Sequence, residues 1–135
     1  EAYGTKYWDK IKNIRKNRRI DPKCTRYNGG IDLNRNYPFK FGLDNKGSSG
    51  NPCEEDYRGK KPFSEPETRA MKNLVERYKG RLVSAMNFHA YGDLWIAPFN
   101  FEESDDVNLL KKKNPRLSKA YKIFEAQAPH PINSK

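Results

Sequence analysis

Between residues 21 and 61 the chain runs through Gly, Pro, Asn, Ser and Asp with almost no hydrophobic periodicity, and it places both of its cysteines there, Cys24 and Cys53. Connections in compact domains are usually about 4–6 residues long, and structureless stretches as long as this one are either functional or held by a cross-link. The two cysteines lie on polar, Gly- and Pro-rich sequence and lack the close paired spacing of a structural zinc site. A disulfide pinning one loop to another fits them better than buried free thiols and implies an oxidising compartment. The reading is a stapled functional loop.

Regular elements follow it. Ser64-Glu65-Pro66-Glu67 reads as a capping box, with Ser64 as the cap, Glu67 reaching back and Pro66 tolerated in the first turn. Ala70, Met71, Leu74, Val75 and Tyr78 then recur at helical spacing, and Gly80 stops the helix. Leu82, Val83, Ala85, Met86 and Phe88 form a short apolar run, expected to be a strand covered on both faces. Residues 94–97 suggest a second strand ended by Pro98, and a last helix starts near Pro115 with Leu117, Tyr121 and Phe124 on one face. Upstream, residues 6–20 have mixed spacing that fits a short helix or an irregular segment. Helix, buried strand, strand, helix points to an α/β layered sheet.

Composition bounds what this sheet can do. At 135 residues the chain is long enough for one domain, yet only 35% is hydrophobic and 33% is charged, with a mean hydropathy of −1.09. Globular domains are commonly about 45–50% apolar, so either the core is thin or part of the fold's apolar partner surface lies outside this sequence. The first residue, Glu1, also suggests a processed or incomplete chain. No apolar run approaches the roughly 18–20 residues of a membrane span, and no signal peptide is present, so the chain reads as a soluble piece. The net charge of +10 invites a nucleic-acid reading. The basic clusters at residues 10–19 and 111–113 come without a helix-turn-helix, zinc-finger or RNA-recognition signature, and the second is read as a solvated loop.

The chemistry concentrates in two short stretches. Asp32-Leu33-Asn34-Arg35-Asn36-Tyr37 places an amide beside a guanidinium on a Gly-rich loop, a pair able to grip a planar carboxylate through several donors. Asn87-Phe88-His89-Ala90-Tyr91 puts a histidine where the apolar run would emerge, at the strand ends where open α/β sheets collect ligands and where an imidazole suits a metal. His130, in Ala-Pro-His-Pro, is read as exposed and inert.

Six stretches occur in an order that resembles the zinc metallocarboxypeptidases of the pancreatic carboxypeptidase A and B type. They are Ile14-Arg15-Lys16-Asn17-Arg18, Gly30-Ile31-Asp32-Leu33-Asn34-Arg35-Asn36, Ser48-Ser49-Gly50-Asn51-Pro52-Cys53, Tyr57-Arg58-Gly59, Phe63-Ser64-Glu65-Pro66-Glu67-Thr68 and Phe88-His89-Ala90-Tyr91-Gly92. The resemblance runs from about Tyr3 to Phe99 and fades beyond. It implies an α/β fold in which this chain forms part of a mixed, mostly parallel sheet flanked by helices. It implies that Arg15 polarises the scissile carbonyl, that Asn34 and Arg35 bind the substrate's terminal carboxylate, that His89 is a ligand of Zn2+ and that Tyr91 lines the substrate groove. Cys24 and Cys53 resemble the family disulfide, with a somewhat longer loop after Cys24.

The departures are as informative. The family takes two further zinc ligands from an upstream His-x-x-Glu motif, which this chain lacks. Its general-base glutamate and mobile tyrosine lie downstream of residue 135. Residues 1–135 are therefore expected to be the central part of a single peptidase catalytic domain, unable to hold zinc tightly or hydrolyse peptides alone. The expected parent is a monomeric metallocarboxypeptidase, secreted or in an extracellular or lysosomal-type compartment, that removes C-terminal residues from peptides or proteins, with no nucleic-acid or membrane partner. An inactive relative that still binds peptide C-termini through Asn34 and Arg35 is the alternative.

Overall fold

The computed structural model describes residues 14–25, 27–89, 96, 112 and 114–127. Its chain forms two units, Glu1–Ala85 and Met86–Lys135.

Among the described residues of the first unit most of the chain is loop, fixed by hydrogen bonds and one covalent staple rather than by a sheet. Residues 14–20 have no regular secondary structure. Asn17 nevertheless lies along the segment that carries the Asn–Arg pair, because its N–H donates to the Ile31 carbonyl at 2.9 Å and its Oδ1 accepts from the Ile31 N–H at 2.9 Å. Gly30 permits that approach. Its φ is +101°, and a Cβ there would sit 2.0 Å from the Asn17 carbonyl oxygen. Cys24 and Cys53 form the expected disulfide, with their Cα atoms 5.3 Å apart. A parallel bridge pairs Ser49 with Tyr57. The Arg58 guanidinium fills the loop opposite, donating to the Ser48 carbonyl at 2.8 Å and the Asn45 Oδ1 at 3.0 Å.

Helix α1 spans Pro66–Arg77. Its start differs from the capping box expected at Ser64, because Glu65 is the N-cap and makes no side-chain cap bond. The Ser64 hydroxyl is engaged elsewhere, accepting from Asn36 Nδ2 at 2.9 Å and donating to Glu65 Oε1 at 2.8 Å. Both partners are side chains, and neither is a backbone N–H of the helix. The end matches expectation. Tyr78 is the C-cap, Gly80 adopts φ +80°, and the reversed chain lets the Arg81 and Leu82 N–H groups reach the Tyr78 carbonyl. Thr68 is the buried residue of α1, while Met71, Leu74 and Val75 are about half exposed.

The strand expected over residues 82–88 is not formed. Residues 82–89 carry no strand assignment, and Leu82, Val83, Met86 and Phe88 are 51%, 99%, 51% and 87% exposed. A strand exists only through a neighbour's hydrogen bonds, and no strand pairs with this run among the described residues. Beyond the Ser49–Tyr57 bridge, the described residues show helices and loops, not the anticipated sheet.

In the second unit, helix α2 covers Pro115–Gln127 as anticipated. Asn114 caps it, its Oδ1 accepting from the Leu117 N–H at 3.1 Å and its carbonyl from the Ser118 N–H at 3.0 Å. The second predicted strand, apart from Ile96, and His130 lie outside the described residues, as do the side chains of Tyr121 and Phe124.

Candidate functional site

A short 3-10 turn over Leu33–Arg35 carries the Asn–Arg pair. Asp32 sits just before it and caps it, its Oδ1 accepting from the Asn34 N–H at 3.1 Å and its carbonyl from the Arg35 N–H at 2.9 Å. Aspartate suits this position because its short carboxylate reaches the backbone two residues on. The Asp32 N–H donates to the Tyr57 carbonyl at 2.8 Å, tying the turn to the loop beyond the disulfide.

Asp32 is only 3% exposed, and its other oxygen gathers cations. Arg15 Nη2 donates to Oδ2 at 2.7 Å, and Arg35 Nε lies 4.0 Å from the same atom. A buried carboxylate requires such compensation. Arg15 is thus hydrogen-bonded to Asp32 while Arg35 is drawn to it by charge alone, and their side chains stay 48% and 33% exposed. Arg35 Nε is buried without a hydrogen-bond partner among the described residues. Asn34 is exposed on the same turn. The fold thus brings together Arg15, Asn34 and Arg35, three of the residues singled out from sequence, around a buried anion that aims two cations.

The turn is held from below by a polar core. Asn36, with no exposed surface, donates through Nδ2 to the carbonyls of Arg58 at 2.9 Å and Lys61 at 3.1 Å and to Ser64 Oγ at 2.9 Å, and accepts from Thr68 Oγ1 at 2.8 Å. Glu65 is 2% exposed and accepts from Asn17 Nδ2 at 2.8 Å, Ser64 Oγ at 2.8 Å and Arg19 Nη1 at 2.7 Å. Burial works to raise its pKa, but the bonds from Asn17, Ser64 and Arg19 outweigh that and hold it below the ordinary glutamate value. Lys16, next to Arg15, is 6% exposed, and burial lowers its pKa against the opposing pull of Glu55, Asp32, Glu54 and Asp21.

Sequence reading did not give roles to Asp32, Lys16, Asn36 or Glu65. For Asp32 a signal was present, since an aspartate two residues before the Asn–Arg pair is a turn-capping pattern. His89 is exposed and belongs to the second unit. Tyr91 lies outside the described residues. No group of three His, Cys, Asp or Glu side chains able to hold a metal ion occurs among the described residues. By themselves these residues do not make a zinc centre.

Comparison with known proteins decides the wider assignment. The zinc carboxypeptidase family profile matches residues 3–132. The chain belongs to the zinc carboxypeptidase family. As a member of it, it is similar to mast cell carboxypeptidase A of Rattus norvegicus, 34% identical over 70% of this chain and 22% of that protein. It is also similar to carboxypeptidase B of Astacus astacus, 38% identical over 53% of this chain and 23% of that protein. With a zinc carboxypeptidase of Simulium vittatum it shares 40% identity over 52% of its length and 22% of that protein's. The chain spans less than a quarter of the length of these relatives.

Proposed function

We propose that this chain is the central part of the catalytic domain of a zinc-dependent carboxypeptidase that removes C-terminal residues from peptides or proteins. The observation that carries the reading is the placing of two guanidinium groups beside the buried carboxylate of Asp32, Arg15 at 2.7 Å and Arg35 at 4.0 Å, within a chain of the zinc carboxypeptidase family.

In this reading Arg35 and Asn34 grip the terminal carboxylate of the substrate. A guanidinium offers a planar fork of donors that matches a carboxylate, and an amide adds one more donor. The free carboxylate distinguishes a chain end from an internal bond. Arg15 donates to the carbonyl oxygen of the bond to be cut and stabilises the negative charge that develops there. Preorganisation is the source of its effect: the Asp32 tether fixes the guanidinium before substrate arrives. Zinc, when bound, supplies an activated water and polarises the carbonyl. A catalytic zinc takes three protein ligands; His89 is proposed as one, and the others are proposed to come from elsewhere in a longer polypeptide. Tyr91 is proposed to line the groove. The disulfide supports a secretory or extracellular setting, and a monomer is the proposed state.

The test uses the full-length protein. Arg35→Ala is expected to lower kcat/KM on peptides with a free C-terminus by roughly ten- to hundredfold, the equivalent of about 1.5–3 kcal/mol for bonds to a charged group. C-terminally amidated peptides, already poor substrates, change little. Equal losses on both would contradict the carboxylate grip. His89→Ala is expected to lose bound zinc by metal analysis as well as turnover. A wild-type protein that binds free C-termini through Arg35 without cleaving them would instead identify an inactive relative.

A further inference from the structure

Lys16 stands out from the basic segment around it because its ammonium is inside the molecule. Nζ donates to the carbonyls of Asn28 at 2.6 Å, Pro52 at 2.8 Å and Glu54 at 2.8 Å, and lies 5.8 Å from the centre of the Tyr57 ring. An ammonium has three N–H donors, and three carbonyls take all of them. It is therefore built to hold backbone in place and has no free donor for a substrate.

The acceptors are informative. Pro52 and Glu54 flank Cys53, and Asn28 lies on the loop that follows Cys24. The ammonium and the disulfide thus join the same two loops, from different sides. The third segment they meet is that of Arg15, which has no helix or strand of its own to fix it. Asn17 pairs with Ile31 on one side of Lys16, and Arg15 reaches Asp32 on the other. Lys16 is the anchor between them.

We propose that Lys16 is a positioning residue for Arg15: its ammonium, caged by the carbonyls of Asn28, Pro52 and Glu54, clamps the irregular segment of Arg15 onto the disulfide-stapled loops so that the guanidinium meets Asp32 in one geometry. This rests on the role given above to Arg15 at the carbonyl oxygen. It assigns Lys16 an effect on turnover exerted through its neighbour.

A mutant cycle on the full-length protein tests this with Lys16→Met, Arg15→Ala and the double variant. Lys16→Met keeps the length and loses the donors. It is expected to lower kcat by roughly tenfold or more with KM within about twofold, and to lower kcat no further when Arg15 is already alanine. A folded Lys16→Met protein with normal kcat, or an equal loss on both backgrounds, would overturn the proposal. Should Lys16→Met not fold, Tyr57→Leu removes the ring beneath the ammonium and leaves the cage. A smaller kcat loss of the same kind, absent on the Arg15→Ala background, supports the proposal, and a loss that persists there overturns it. Arg15→Ala with unchanged kcat would instead overturn the functional reading, and this proposal with it.

Discussion

A single side chain, Asn36, fixes the register of the turn that carries Asn34 and Arg35. Its amide group donates to Arg58, Lys61 and Ser64 and accepts from Thr68, with no surface left to water. Asn36→Ala removes every one of these bonds and leaves the partners buried, where each unmet polar group costs about 1–3 kcal/mol. A loss exceeding about 3 kcal/mol in denaturant unfolding is expected, and a change below about 1 kcal/mol would show that water replaces the amide. At this scale the sequence was partly legible. Arg15, Asn34 and Arg35 could be picked out by residue type and order, and the structure brings them together. What could not be read is that Arg15 and Asp32, separated by 17 positions, form an ion pair. Arg35, three positions from Asp32, makes a looser ion pair with it at 4.0 Å, one that local spacing allows. The Arg15 pairing is decided by how loops cross, which no periodicity encodes.

Elements were legible where a local rule fixes them. Helix α1 follows from apolar spacing with Pro66 at its start and Gly80 past its end, and α2 from Pro115 and the apolar spacing after it. The capping box failed because the Ser64 hydroxyl is drawn into the buried network of Asn36 and Glu65, a tertiary competition invisible locally. The strand at residues 82–88 failed because pairing is not a property of one segment. The network at the head of α1 has a pH signature. Glu65 is held below its ordinary value of 4.5, so its stabilising contribution is complete above that value and is lost as pH falls through the lower folded-state value. Glu65→Gln is expected to cost about 1.5–3 kcal/mol near neutral pH. That difference from wild type should narrow below about pH 4.5, as wild type protonates. Unfolding midpoints measured across this range check it; a gap that stays constant or widens in acid would place the charge elsewhere.

For the molecule as a whole, composition bears on the core. A hydrophobic share of 35% goes with a first unit whose buried residues, among those described, are largely polar, with Ile31 and Tyr57 as the buried apolar ones. The consequence of α1's uncovered side is colloidal. Met71, Leu74, Val75, Leu82 and Val83 present greasy surface within one short stretch of chain, each at least 44% exposed, and surfaces of this kind drive association. Produced as residues 1–135 alone, the polypeptide should scatter light increasingly with concentration, and Leu74→Lys with Val83→Lys should suppress this without disturbing the Asp32 cluster. An expression host would meet that stretch as unfinished business, holding it on chaperones or clearing it by degradation.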